Sequence, residues 1–116
     1  MKIAALITCF NRKDKTLSCL TSLYHALDTY NEKSEDKIEL SVYLTDDGCT
    51  DGTADAVRNN FADKKITILQ GDGNLYWAGG MRFAWKEALK KHSEWDFYLL
   101  LNDDVDLVDI LFNELL

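Results

Sequence analysis

A chain of 116 residues with 47% apolar and 11% aromatic side chains has the makeup of one folded domain, and its length excludes a second sizeable core. A formal net charge of −7 excludes a surface built for nucleic acid or an anionic membrane, because both reward clustered Lys and Arg. No apolar run approaches the roughly 20 residues of a membrane span and no secretory leader is visible, so the expected location is the cytoplasm, with the inner face of the membrane as the alternative.

The chain alternates strands and helices from its first residues. KIAALIT, residues 2–8, is a continuous apolar run suited to a strand covered on both faces. Leu17, Leu20, Tyr24, Leu27 and Tyr30 then recur at helical spacing behind an expected cap at Asp14. After the polar linker YNEKSEDK, IELSVYLT gives a second strand, and Ala54, Val57 and Phe61 mark a short helix capped by Asp51. KITILQ reads as a third strand, GDGNLYWAGG as a glycine-rich loop, and MRFAWKEALKKH as a helix whose basic end suits its dipole. WDFYLLLN is a fourth, buried strand, and Leu107, Ile110, Leu111 and Leu115 allow a last helix.

This alternation predicts an α/β, Rossmann-like three-layer sandwich with a mainly parallel sheet and right-handed crossovers. Ligands in such folds sit at the carboxyl ends of the strands. The unusual residues fall there: TCFNR after strand one, TDDGCTDGT after strand two, GDGNLYWAGGMR after strand three and NDDVD after strand four. The last group places Asp103, Asp104 and Asp106 together with no cation among them. Like charges at that spacing repel, and a divalent cation is the natural partner.

In order and wording these pieces closely resemble the nucleotide-sugar-binding half of family 2 glycosyltransferases, inverting enzymes of the GT-A fold. ITCFNR, LTDDGCTDGT and LLLNDDV stand where that family has its first loop, its VDDGSTDGT turn and its D-x-D motif, and the resemblance covers nearly the whole chain. It implies a truncated GT-A domain over residues 1–116, lacking the acceptor-binding part and the catalytic base, which in the family lies well downstream. The implied function is transfer of a sugar from a UDP- or dTDP-sugar to a saccharide or lipid-linked acceptor in polysaccharide biosynthesis, with this fragment inactive alone. The alternative is a nucleotide-binding module without transfer activity.

The resemblance also implies roles residue by residue. Thr8, Asn11 and Arg12 would line the nucleotide pocket, with Arg12 suited to a phosphate or else a solvated charge. Asp46 would accept a hydrogen bond from the base, whereas Asp47 either joins it or only holds the turn. Gly48, Thr50, Asp51 and Gly52 read as turn and helix-start residues. Gly79 and Gly80 would open a helix whose amides meet the diphosphate, helped by Arg82 in its first turn. Asn102 and Asp103 would touch ribose or sugar, and Asp104 would hold Mg2+ or Mn2+, with Asp104–Asp106 as a competing register.

Other residues carry less. Cys9, Cys19 and Cys49 show no C-x-x-C pair, which suggests reduced thiols and neither a disulfide framework nor a zinc knuckle. Trp77 either stacks on a ring or covers the core, and Trp85 has the spacing of a core residue. His25 and His92 receive no role. A receiver-like signalling domain would need an aspartate after strand three and a lysine after a fifth strand, and a dinucleotide-binding unit needs G-x-G-x-x-G after strand one, where the chain has TCFNRK.

Overall fold

The computed structural model describes the backbone of residues 1–116 and every side chain except that of His92, which lies outside the described residues. Four strands, β1 (Lys2–Cys9), β2 (Glu39–Asp46), β3 (Ile66–Gln70) and β4 (Phe97–Asn102), alternate with helices α1 (Lys13–Lys33), α2 (Thr53–Asn60), α3 (Tyr76–Leu89) and α4 (Leu111–Leu115). The sheet order is β3-β2-β1-β4 and every pairing is parallel. This is the expected α/β sandwich. No helix among the described residues is long and apolar enough to cross a membrane.

The period-2 alternation of β1 and β2 sorts their side chains onto two faces. Ile3, Ala5, Ile7, Leu40, Val42 and Leu44 meet Leu20, Leu23 and Ala26 of α1, Val57 of α2 and Phe112 of α4. Ala4, Leu6 and Tyr43 meet Met81, Ala84 and Ala88 of α3 on the other. Burying both faces explains why β1 reads as an unbroken apolar run: residues 3–9 are all buried.

Three expectations need correction. β4 is not a fully buried strand: it pairs with β1 alone at the sheet edge, and Phe97 and Leu100 are about half exposed, at 51% and 45%. Asp14 does not cap α1. The Lys13 amide instead donates to Asp51 Oδ2 at 3.0 Å, so a residue of the β2–α2 loop closes the start of α1. The same carboxylate accepts the Thr53 amide at 3.2 Å and the Thr53 hydroxyl, while the cap position of α2 itself is Gly52, at φ 83. These hydrogen bonds, that from the Thr53 hydroxyl foremost, hold the Asp51 carboxyl below its ordinary value.

The third correction concerns α3, which starts at Tyr76 rather than Met81. Asp47 explains the early start. Its Oδ1 accepts the amides of Gly73 at 2.9 Å and Leu75 at 3.3 Å, and its Oδ2 that of Tyr76 at 2.9 Å. A buried carboxylate thus meets the positive end of the helix and pairs amides that the first turn leaves free.

Candidate functional site

The parallel register brings the ends of three strands level. Thr8 of β1 lies opposite Thr45 of β2 and Asn102 of β4, and Cys9 opposite Asp46. Beside them opens a cleft of about 480 Å³, lined by Thr8, Arg12, Asp47, Gly73, Trp77 and Asp103 among others. That volume is in the range of small-molecule sites. Its floor depends on Gly80: a Cβ there would lie 2.9 Å from the Thr8 Cβ and still closer to that side chain's outer atoms. The Gly80 carbonyl also accepts the Thr45 hydroxyl at 2.8 Å, which seats α3 directly on the strand ends. Thr8 Oγ1 is buried against Gly80 with no partner among the described residues.

The acids at the end of β4 do have a protein cation, supplied from across the sheet. Arg12 Nη1 donates to Asp104 Oδ2 at 3.1 Å and to Asp103 Oδ1 at 3.4 Å. Asp103 is buried and Asp104 more open, so the pair presents one inner and one accessible carboxylate. Burial pushes the Asp103 carboxyl above its ordinary value; Arg12 pulls it back and Asp104 pushes it up. Asp106 points elsewhere. It accepts the Ser18 hydroxyl at 2.5 Å, and the Leu107 amide donates to Ser22 Oγ at 2.9 Å, tying this segment to α1. The acids that share Arg12 are therefore 103 and 104, and Asp106 is not among them.

The first and second loops are braced together. Asn11, in the left-handed region at φ 49, accepts the Thr50 amide on its Oδ1 at 2.7 Å. The side chain holds two loops and does not line the cleft. Tyr76, also left-handed at φ 57, and Trp77 are 73% and 51% exposed and form part of the cleft wall.

Comparison with known proteins decides what such a cleft belongs to. The family model described as Glycosyl transferase family 2 matches residues 4–109. The chain belongs to glycosyl transferase family 2. No curated protein sequence matches it. Among solved structures it is similar to S. aureus TarS 1-349 in complex with UDP, at 21% identity and a TM-score of 0.76, over 99% of this chain and 31% of that one. The UDP-GlcNAc complex of TarS 1-349 gives 21% identity and a TM-score of 0.76, over 99% and 30%. Mannosyltransferase PcManGT from Pyrobaculum calidifontis, in complex with GDP-Man and Mn2+, gives 22% and 0.58, over 73% and 24%. These likenesses establish the fold, and the chain spans about a third of the length of TarS 1-349.

Within this family 2 chain several expected residues fall in other places than the motifs suggest. Asp46 is buried on the face of the sheet opposite α3, where its Oδ1 accepts the Cys49 amide at 2.8 Å; the neighbouring Asp47 lines the cleft instead. Strand alternation is the reason, since adjacent residues point to opposite faces. Gly79 offers no free amide: it lies inside α3 and donates to the Leu75 carbonyl at 3.0 Å. Arg82 is in the second turn of α3, exposed and without an ion pair among the described residues. Asn102 is exposed at the end of β4 on the face that Thr8 shares, and its carbonyl accepts the Cys19 thiol at 3.5 Å. Trp85 is not core: it is 42% exposed and packs on Tyr98 of the edge strand, centroids 5.6 Å apart. His25 is exposed. Sequence reasoning missed Gly73 and Tyr76 as cleft residues, and only the glycines flanking Asp72 hinted at a tight approach there.

Proposed function

We propose that these 116 residues form the donor-binding part of an inverting, metal-dependent glycosyltransferase that takes a UDP- or dTDP-sugar and passes the sugar to a saccharide or lipid-linked acceptor. One observation carries this reading: in a family 2 chain, Thr8, Arg12, Asp47 and Asp103 share one cleft, with Asp104 bound to the same arginine. The part that receives the acceptor, with the base that deprotonates it, is proposed to lie outside residues 1–116. The length of TarS 1-349, of which this chain matches 31%, supports that division.

The donor set fits a hard cation. Asp103 and Asp104 offer carboxylate oxygens, the ligands Mg2+ and Mn2+ prefer, and Asp104 is exposed enough to be reached. A bound Mg2+ or Mn2+ would neutralise the charge that develops on the departing diphosphate. The rest is done by protein groups. Asp104 would hold the cation, and Arg12, which bridges the two acids, carries a planar fork suited to a phosphate. Three amides occupy Asp47, yet its two oxygens have about four acceptor sites between them, which leaves room for one imide N–H of a uracil or thymine ring. Trp77 offers a face for stacking, and Asn102 an amide for ribose or sugar hydroxyls.

Calorimetry with UDP, dTDP and GDP, each with and without Mn2+, tests the reading. UDP or dTDP should bind more tightly with Mn2+ than without. Binding of GDP alone would move the base preference, and nucleotide binding indifferent to metal would overturn the metal-dependent reading.

A further inference from the structure

On the face of the sheet opposite α3, outside the acid pair and Arg12, a second group of ligating atoms comes together. Cys9 Sγ, an Asp46 carboxylate oxygen and Cys49 Sγ all lie within 4.8 Å of one another. The two sulfurs are 3.8 Å apart. Cys9 and Asp46 are adjacent in the β1–β2 register and buried to 1% and 4% exposure, while Cys49 sits in the loop above and is partly exposed. A disulfide would need the sulfurs at about 2.05 Å. Two thiolates at about 2.3 Å from a tetrahedral Zn2+ are separated by about 3.8 Å, the distance observed.

Backbone donors already converge on the same atoms. Asp46 is buried and forms no ion pair among the described residues, and its Oδ1 accepts the Cys49 amide at 2.8 Å. The Asn11 amide donates to Cys49 Sγ at 3.3 Å, so one sulfur already has a donor suited to a thiolate.

We propose that Cys9, Asp46 and Cys49 form a site for a soft divalent cation, Zn2+ in the first place, separate from the hard-cation ligands Asp103 and Asp104. Two thiolates and one carboxylate supply three tetrahedral positions and leave the fourth to water. Binding releases two thiol protons, so a dication replaces them and the net charge of the cluster is unchanged. Thiolate ligands select against Mg2+ and Mn2+. The cation would tie the end of β1, the end of β2 and the loop at 47–52 into one unit beside the cleft.

Co2+ is the probe, added to the whole chain under a phosphine reductant at mildly alkaline pH. Saturable thiolate-to-cobalt absorption with tetrahedral visible bands is expected, abolished by Zn2+ and untouched by excess Mg2+. Cys49→Ser should weaken the charge-transfer band at least about tenfold in apparent affinity, and Cys19→Ser should leave it intact. Zn2+ should also raise Tm of the wild type and not of Cys49→Ser. Cys49 is in a partly open loop, so circular dichroism of that variant should match the wild type even where a Cys9 variant does not fold. Absence of the thiolate band, or a band unchanged in Cys49→Ser, would overturn the site. Neither readout involves nucleotide, so the result stands apart from that of the donor-binding reading.

Discussion

Arg12, at the cap position of α1, donates from its Nη1 to Asp104 at 3.1 Å, across 92 residues of sequence. A cation and the acid it neutralises are thus delivered to one place by the loops that follow two adjacent parallel strands. If Asp104 holds the metal, Asp104→Ala should weaken UDP binding in Mn2+ by at least about tenfold, near 1.4 kcal/mol, and remove the metal dependence. Asp106→Ala should leave binding unchanged. Calorimetry that finds the two variants reversed would assign the cation to the other register.

The same arginine sets a pH dependence. The folded-state value of Asp103 is raised, so its contribution to stability is complete below the unfolded value near pH 4 and is lost as pH rises through the higher folded value. Arg12 works against that loss. Arg12→Ala should therefore cost more stability at about pH 7 than at about pH 4. Thermal melts of both proteins at the two pH values check it, and an equal loss at each would show that Arg12 does not support the ionised acid.

Asp46 and Asp47 are neighbours in sequence with separable duties. Asp47→Ala removes the acceptor of three backbone amides at the start of α3 and should cost about 3 kcal/mol. Asp47→Asn keeps one acceptor oxygen and should cost less. Denaturant unfolding gives the values, and hydrogen exchange should show faster exchange at Gly73, Leu75 and Tyr76 in the alanine variant.

Gly80→Ala should cost about 1–3 kcal/mol, because the new methyl group meets Thr8 before α3 reaches its seat. Part of the loss should return in the double variant with Thr8→Ala, which clears the outer atoms of that side chain. Additive losses in a double-mutant cycle would mean that the contact does not set the distance between helix and sheet.

What could be read beforehand was whatever depends on local pattern. The unbroken run at residues 2–8 and the helical spacing of Leu20 and Tyr24 fixed β1 and α1, and the turn glycines fixed where loops fall. What could not be read was which residues meet across the fold. Arg12 as the partner of Asp103 and Asp104, and Asp51 as the cap of α1, join positions tens of residues apart. The start of α3 was misplaced for the same reason: two glycines argue against helix locally, and only the distant Asp47 carboxylate and the closeness of Thr8 to Gly80 make that stretch helical. That Asp47 and not Asp46 lines the cleft was not legible, because one residue of offset in a strand changes the face.

The strand order has a kinetic consequence. Of these four strands β1 is made before the others and lies in the interior of the sheet, yet its second neighbour, β4, is made after the other three, and the contact from Lys2 to Asp96 closes a loop of 94 residues. Such long closures cost entropy before any pairing rewards it, which slows folding. Until β4 emerges, the most apolar segment of the chain keeps one ladder of amides and carbonyls open to any passing strand. The nascent chain is therefore most exposed to mispairing between synthesis of β2 and of β4, and a chaperone that shields residues 2–9 over that interval would raise the yield of native protein without altering its final stability.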